Sequence, residues 1–228
     1  MINSIRSSMT GTTLAGQSSS ASTVIRRPTD DQMAVLLFGK TPPRRLDKRR
    51  FPHLKKALRK LAHVAGEIAE NLGASSEDFS PELCEGYNAC ITREGDILFG
   101  AELLEKHQDD DDLMMAILSH EIGHDPSHWP QGNMGRITKK IRDQIYRKEE
   151  DKADRFMGKQ LADLGANPDP ICKFLSRAKK FETHHSTEYY PAEVRADTIR
   201  TAFTARKRAL KRRSQLVFGS PVRLRELR

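Results

Sequence analysis

His120, Glu121 and His124 spell the pattern HExxH. Residues four apart lie on one face of a helix, so the two imidazoles can reach a single metal ion. Neutral imidazoles at that spacing suit zinc, and a glutamate beside them can take a proton from a metal-bound water. The run from Asp112 to His124 has the composition of a helix, and Leu113 and Ile117 continue the histidine stripe towards its start. The stripe reads apolar, apolar, ligand, ligand: a helix buried at one end and open to a cleft at the other. The pentapeptide alone fits a surface helix with two solvated histidines as well, so a third ligand has to decide.

A catalytic zinc has three protein ligands and one open position. His128 lies one helical step past His124, but Asp125-Pro126 stands between them and takes it off the helical face. Glu150 is the better candidate. It opens the sequence Glu150-Asp151-Lys152-Ala153-Asp154, an ExxAD pattern on the next long helical stretch. Glu150 could bind the metal while Asp154, four residues on, accepts a hydrogen bond from a ligand imidazole and fixes its tautomer. An acidic cluster on a charged helix is by itself a solvated face; with HExxH upstream the ligand reading is the stronger.

The elements that must position these groups can be read in chain order. Residues 1–45 form a Ser/Thr-rich leader and linker with few large apolar residues, read as disordered. It resembles an organelle or export leader of a non-classical kind, or a plain flexible tail, which leaves a cytoplasmic or a targeted location open. Leu54, Ala57, Leu58, Leu61, Val64, Ala65, Ile68 and Leu72 mark an amphipathic helix ending near Gly73. Ser80-Pro81 marks a turn or a helix start. Tyr87–Ile91 and Ile97–Phe99 read as strand, tight turn through Arg93-Glu94-Gly95, strand. A short helix follows Gly100, and Asp109–Asp112 opens the HExxH helix, capping its free N–H groups in preference to binding a cation.

After that helix comes a loop with Gly132 and Gly135 as flexible points and Trp129 packing it onto the core. Residues 137–164 form one long helix or two abutting ones, stopped by Gly165-Ala166-Asn167-Pro168. A shorter helix covers Ile171 to Ala178. A last one starts near Pro191, carries Val194, Ile199 and Phe203, and gives way to an exposed basic tail, residues 206–228. Residues 46–205 are left as one domain, and the fold class is α+β, mainly helical.

Composition bounds the rest. The chain has 228 residues, enough for one domain with its own core plus tails. It is 31% charged, 37% hydrophobic and 6% aromatic, which describes an aliphatic core under a charged surface. No apolar run approaches the ~20 residues that span a bilayer, so the chain reads as soluble and not as an integral membrane protein. The net charge of +8 gives some affinity for anionic surfaces. No aromatic interleaving or recognised motif accompanies it, which argues against nucleic acid as a partner. Cys84, Cys90 and Cys172 are odd in number and without CxxC spacing, which fits a reducing compartment and structural roles.

In three blocks the sequence resembles the gluzincin metallopeptidases of the CaaX prenyl protease/HtpX-like family, over roughly residues 54 to 200. Tyr87-Asn88-Ala89-Cys90, with Gly95 and Leu103-Leu104, is similar to the family's hairpin. His120–His124 matches its HExxH. Glu150–Asp154, with Leu164-Gly165-Ala166-Asn167-Pro168 behind it, matches its ExxAD block. The resemblance implies a zincin-like domain with a small β-hairpin or sheet beside the HExxH helix. It implies one zinc per chain on His120, His124 and Glu150, Glu121 as general base, and Asp154 behind a ligand histidine. It also implies that the hairpin holds an extended peptide by strand addition.

Many relatives have His-Pro and then an arginine near the end of the domain. Here Tyr190-Pro191 and Arg195 occupy that region at slightly shorter spacing. Tyr190, with His184 and His185 as alternatives, is then the candidate oxyanion donor, and Arg195 joins it. Membrane relatives carry spanning helices that have no counterpart in this sequence, so cleavage of prenylated proteins inside a bilayer is not expected. The activity implied is that of a zinc endopeptidase acting on peptides or proteins through a Glu121-activated, zinc-bound water. The rival is a catalytically inactive protein-binding module that keeps zinc as a staple.

Overall fold

The computed structural model describes residues 43–92, 96–124, 138–178 and 189–218. Helix α1 (Lys55–Leu72) buries Ala57, Leu58, Leu61, Ala65, Ile68 and Ala69 along one stripe. Its lysines and arginines lie on the opposite, solvated side, as the three- and four-residue spacing of its apolar groups requires. Three strands follow: β1 (Pro81–Cys84), β2 (Ala89–Ile91) and β3 (Ile97–Gly100). They pair in the order β1-β3-β2, with β1 parallel to β3 and β2 antiparallel to it.

The expected strand–turn–strand is therefore present as β2 and β3, and its turn lies outside the described residues. Strand β1 replaces the turn or helix start expected at Ser80-Pro81. Its parallel partner comes after β2 in the chain, so no local pattern announces the pairing. The outer edge of β1 is covered: Leu46 N–H donates to Leu83 O at 2.8 Å, and Glu85 N–H to Arg44 O at 3.0 Å. No strand of the described residues covers the outer edge of β2.

Helix α2 (Ala101–His107) leads from β3 into α3 (Asp111–Gly123), which carries the histidines. The acidic run at its start is used up structurally. Asp110 caps it by accepting from Leu113 N–H at 3.1 Å, Asp111 pairs with Lys60 at 2.7 Å, and Asp112 accepts from Asn167 N–H at 3.1 Å. Helix α3 is more enclosed than the stripe suggested. Leu113, Met114, Ala116, Ile117, Leu118, Ser119, Glu121 and Ile122 are all buried, so it is covered on nearly every side. It touches α1, β2 and β3 and the helices that follow.

Residues 139–163 form a single helix, α4 (Lys139–Asp163), opened by the Thr138 side chain accepting from Ile141 N–H. Helix α5 (Asp169–Ala178) and helix α6 (Ala192–Phe218) complete the described elements. Helix α6 continues through the basic residues, so the stretch read as a tail is helical as far as Phe218. Helices α4 and α6 run parallel: Asp154 meets Arg195, Gly158 meets Ile199, and Asp163 meets Arg206. Among the described residues no helix is long and apolar enough to cross a membrane.

Candidate metal centre

Two of these helices bring the candidate ligands together. His120 and His124 project from the last turns of α3, with ring centroids 4.7 Å apart and planes nearly perpendicular. Glu150 comes from the middle of α4. Its Oε2 lies 3.3 Å from His120 Nε2 and its Oε1 lies 3.6 Å from His124 Nε2. One ligand atom from each residue lies within 4.8 Å of the others. Zinc binds nitrogen and oxygen at about 2.0–2.2 Å, and a tetrahedron on such bonds has edges of about 3.3–3.6 Å. The donor set thus fits zinc in type, and its ligand atoms, within 4.8 Å of one another, stand near that spacing.

This convergence depends on two close helix contacts, each made at a glycine. A Cβ added to Gly123, inside HExxH, would stand 2.9 Å from Ala153 Cα and 3.1 Å from the Phe156 side chain. Only a residue without a side chain lets α3 lie close enough to α4 for Glu150 to meet both imidazoles. One turn past Asp154, a Cβ on Gly158 would stand 2.4 Å from Ile199 O. That approach sets α6 against α4 and places Arg195.

Arg195 grips the carboxylates behind the ligands. Its Nε and Nη2 donate to the two oxygens of Asp154 at 2.8 Å each, and Nη2 lies 3.1 Å from Glu150 Oε2. A forked guanidinium suits such bidentate pairing. Asp154, 1% exposed, in turn has Oδ1 3.2 Å from His120 Nδ1. That nitrogen is buried and off a straight hydrogen-bond line, so Asp154 acts on it through a bent contact at hydrogen-bond distance and through its charge. A chain of alternating charge results: Arg195, Asp154, His120, Glu150.

The electrostatics follow from burial and this chain. Burial pushes Glu150 up, but the hydrogen bond to His120 and the charges of His120, His124 and Arg195 hold it at about 2. Asp154 is opposed by burial and held at about 2 by Arg195 and His120. Burial works against a charge on His120, yet Asp154 and Glu150 raise it to about 10. His124 is lowered to about 4, mainly by burial and then by the His120 charge. A proton on His120 therefore sits where two carboxylates call for positive charge, and a divalent cation is a second way to supply it.

Glu121 reaches strand β2 while staying within range of the charges of His120 and Glu150. Burial raises its carboxyl to about 7, and it accepts a hydrogen bond from the backbone N–H of Ile91 on β2. Cys90, also on β2, has a thiol pushed up to about 12 by burial and by the nearby Glu121 charge, and burial raises Cys84 to about 11. Both thiols stay neutral at ordinary pH.

The structure brings together His120, Glu121, His124, Glu150, Asp154 and Arg195. Tyr190 is 40% exposed, and its ring lies under the guanidinium of Arg147, three residues before Glu150 on α4, at 5.9 Å. Its neighbour Tyr189 is the aromatic that meets the site, with its ring 5.5 Å from Arg195 Cζ. Sequence reasoning passed over Tyr189, and it passed over the two glycines although a lone glycine inside a helical pattern is a signal of close approach. His128, Trp129, Gly132, Gly135, His184 and His185 lie outside the described residues.

Residues 54–128 match the family model of peptidase family M48. The match spans α1, the sheet and α3, includes His120, Glu121 and His124, and stops before Glu150. It supports an M48 metallopeptidase family, whose members use zinc, and so a zinc-dependent peptidase hydrolase acting on peptides or proteins. No curated protein matches the chain significantly.

Proposed function

We propose that this protein is a zinc endopeptidase of the gluzincin type, on the CaaX prenyl protease/HtpX-like side of family M48. The observation that carries the reading is the meeting of both imidazole Nε2 atoms with the two oxygens of Glu150, at 3.3 and 3.6 Å. His120, His124 and Glu150 hold the ion. Zinc bound there would supply a Lewis acid that brings the pKa of a water towards ~7 and polarises a carbonyl.

The chain's own residues do the rest. Glu121 takes a proton on its carboxylate from the water that attacks the peptide carbonyl, then delivers it to the nitrogen of the leaving amine as the C–N bond breaks. Burial raises its affinity for a proton, which suits a group that must both accept and release one. Arg195 positions Asp154 and Glu150, and Asp154 orients His120. Strand β2, whose outer edge no described strand covers, receives the substrate as an added strand.

Glu121→Gln separates binding from chemistry. The variant is expected to keep one zinc per chain and to lose hydrolysis of an unfolded protein substrate. Cleavage at the wild-type rate would sink the mechanism. Tyr190, where many relatives have histidine, here with its ring against Arg147, motivates a second reading: an inactive, zinc-stapled binding module. In that case wild type would be stabilised by zinc yet turn over no unfolded protein.

A further inference from the structure

The far end of α6 is not used by the peptidase reading. Arg206, Lys207, Arg208, Lys211, Arg212 and Arg213 put six cations into eight residues, and no acid occurs between Thr198 and Phe218. Helix α4 stops at Asp163, which pairs with Arg206 at 2.7 Å. Among the described residues α6 projects alone beyond that pair. From Lys207 to Gln215 every residue is exposed except the half-buried Leu210. Lys207 lies over the Phe203 ring, while Arg208, Lys211, Arg212 and Arg213 have no acidic partner among the described residues. Like charges one turn apart, such as Lys207 with Lys211 and Arg208 with Arg212, repel. This end of the helix is therefore cationic without any gain to its own stability.

The distribution of the charges selects the partner. At 3.6 residues per turn the cations from Lys207 to Arg213 surround the axis, and the widest free sector, about 120°, is the one holding Leu210. A flat anionic lipid surface meets one side of a helix and rewards an apolar face. Within the cationic stretch Leu210 is the only large apolar residue; Leu216, Val217 and Phe218 follow it at the end of the helix. A groove walled by phosphates on both sides meets charges all round, and the major groove of B-DNA, about 12 Å wide, admits a helix. Projection clear of the domain is what lets a helix enter.

We propose that the projecting end of α6 docks in the major groove of double-stranded DNA through phosphate contacts without sequence preference. Along α4 the pairing at Asp163 lies about 20 Å from Glu150, so bound DNA is held away from the candidate metal centre. Charge alone, in the absence of a motif, argued against such a partner; a free-standing helix carrying the charge on every side argues for it.

The test is fluorescence anisotropy with a labelled mixed-sequence duplex of about 20 base pairs and the full chain, at salt from about 50 to about 200 mM. Wild type is expected to bind, with log K falling against log salt at a slope of about −4 to −5 for five phosphate contacts. Replacing Lys207, Arg208, Lys211, Arg212 and Arg213 by Gln should weaken binding at least about tenfold at low salt. Arg212→Gln alone should flatten the slope by about 1. Zinc content and helicity serve as controls and should be unchanged. The proposal is overturned by a wild type that ignores the duplex at low salt, or by a five-site variant that binds as wild type does. It is equally overturned if the chain binds phosphatidylserine vesicles and not DNA, which would assign the helix to a lipid surface.

Discussion

At the scale of single residues, the site is a set of charges that need one another. Arg195 shares its fork between Asp154 and Glu150, so changing it disturbs a proposed ligand and the residue proposed to orient another. Arg195→Lys keeps the charge but loses the planar fork. Zinc affinity, measured by competition with a chelator, is expected to fall about 10- to 100-fold, the usual cost of losing a group behind a metal ligand. Affinity equal to wild type would show that Arg195 merely neutralises charge.

His120 gives a second residue-scale prediction, for chelator-treated protein. Burial opposes its charge, but Asp154 and Glu150 keep it protonated to about 10, while an unfolded histidine releases its proton near ~6.5. A folded pKa above the unfolded one means stability that is complete below ~6.5 and is lost as pH rises towards the folded value. From pH ~7.5 to ~8.5, Glu121 at about 7 and the thiols, near ~8.5 when unfolded but raised by burial, also lower stability as pH rises, with or without zinc. The melting temperature of the chelated protein should drop more steeply across that window than that of the zinc-loaded protein, because there the ion replaces the proton on His120. Equal slopes in the two forms would contradict the charge pattern.

At the scale of elements, the sequence disclosed whatever has a local period. Helices α1, α4 and α5 announce themselves by apolar steps of three and four, and the HExxH and ExxAD patterns by residues four apart on a helix. Strand β1 did not, because four residues with a partner beyond β2 carry no alternation long enough to read. Tyr189 and Tyr190 could not be told apart, since adjacent residues differ by about 100° on a helix and by a whole face on a strand. Which one meets Arg195 depends on how α6 lies against α4.

That packing is tested at Gly123. An added methyl would stand 2.9 Å from Ala153 Cα, which is backbone and cannot swing aside. Gly123→Ala is expected to push α3 from α4 at a cost of about 1–3 kcal/mol, against any gain in helix propensity. It should weaken zinc binding as well, because the histidines and Glu150 stand on the two helices being separated. Denaturant melts and chelator competition read the two effects, and a variant as stable as wild type would mean the contact is looser than described.

For the whole molecule, the proposed metal set would be a brace across one helix seam. His120 and His124 belong to α3 and Glu150 to α4, the helix on which α3 packs most extensively and which packs in turn on α6. An ion on all three residues would pin this seam, and the unfolded chain has no such preformed set. At zinc a thousandfold above its Kd, the gain would be about 4 kcal/mol, or a rise in Tm of about 8–16 °C for a domain of this size. The rise should be reversed by a chelator. Glu150→Ala removes the only ligand on α4, so its Tm should respond little to zinc although both histidines remain. If Glu150→Ala kept the full zinc response, the ion would be bound within α3 or by a group outside the described residues, and Glu150 would lose its place as third ligand. If wild type gave no response, the HExxH helix would be a buried core helix whose polar groups satisfy one another through the proton on His120.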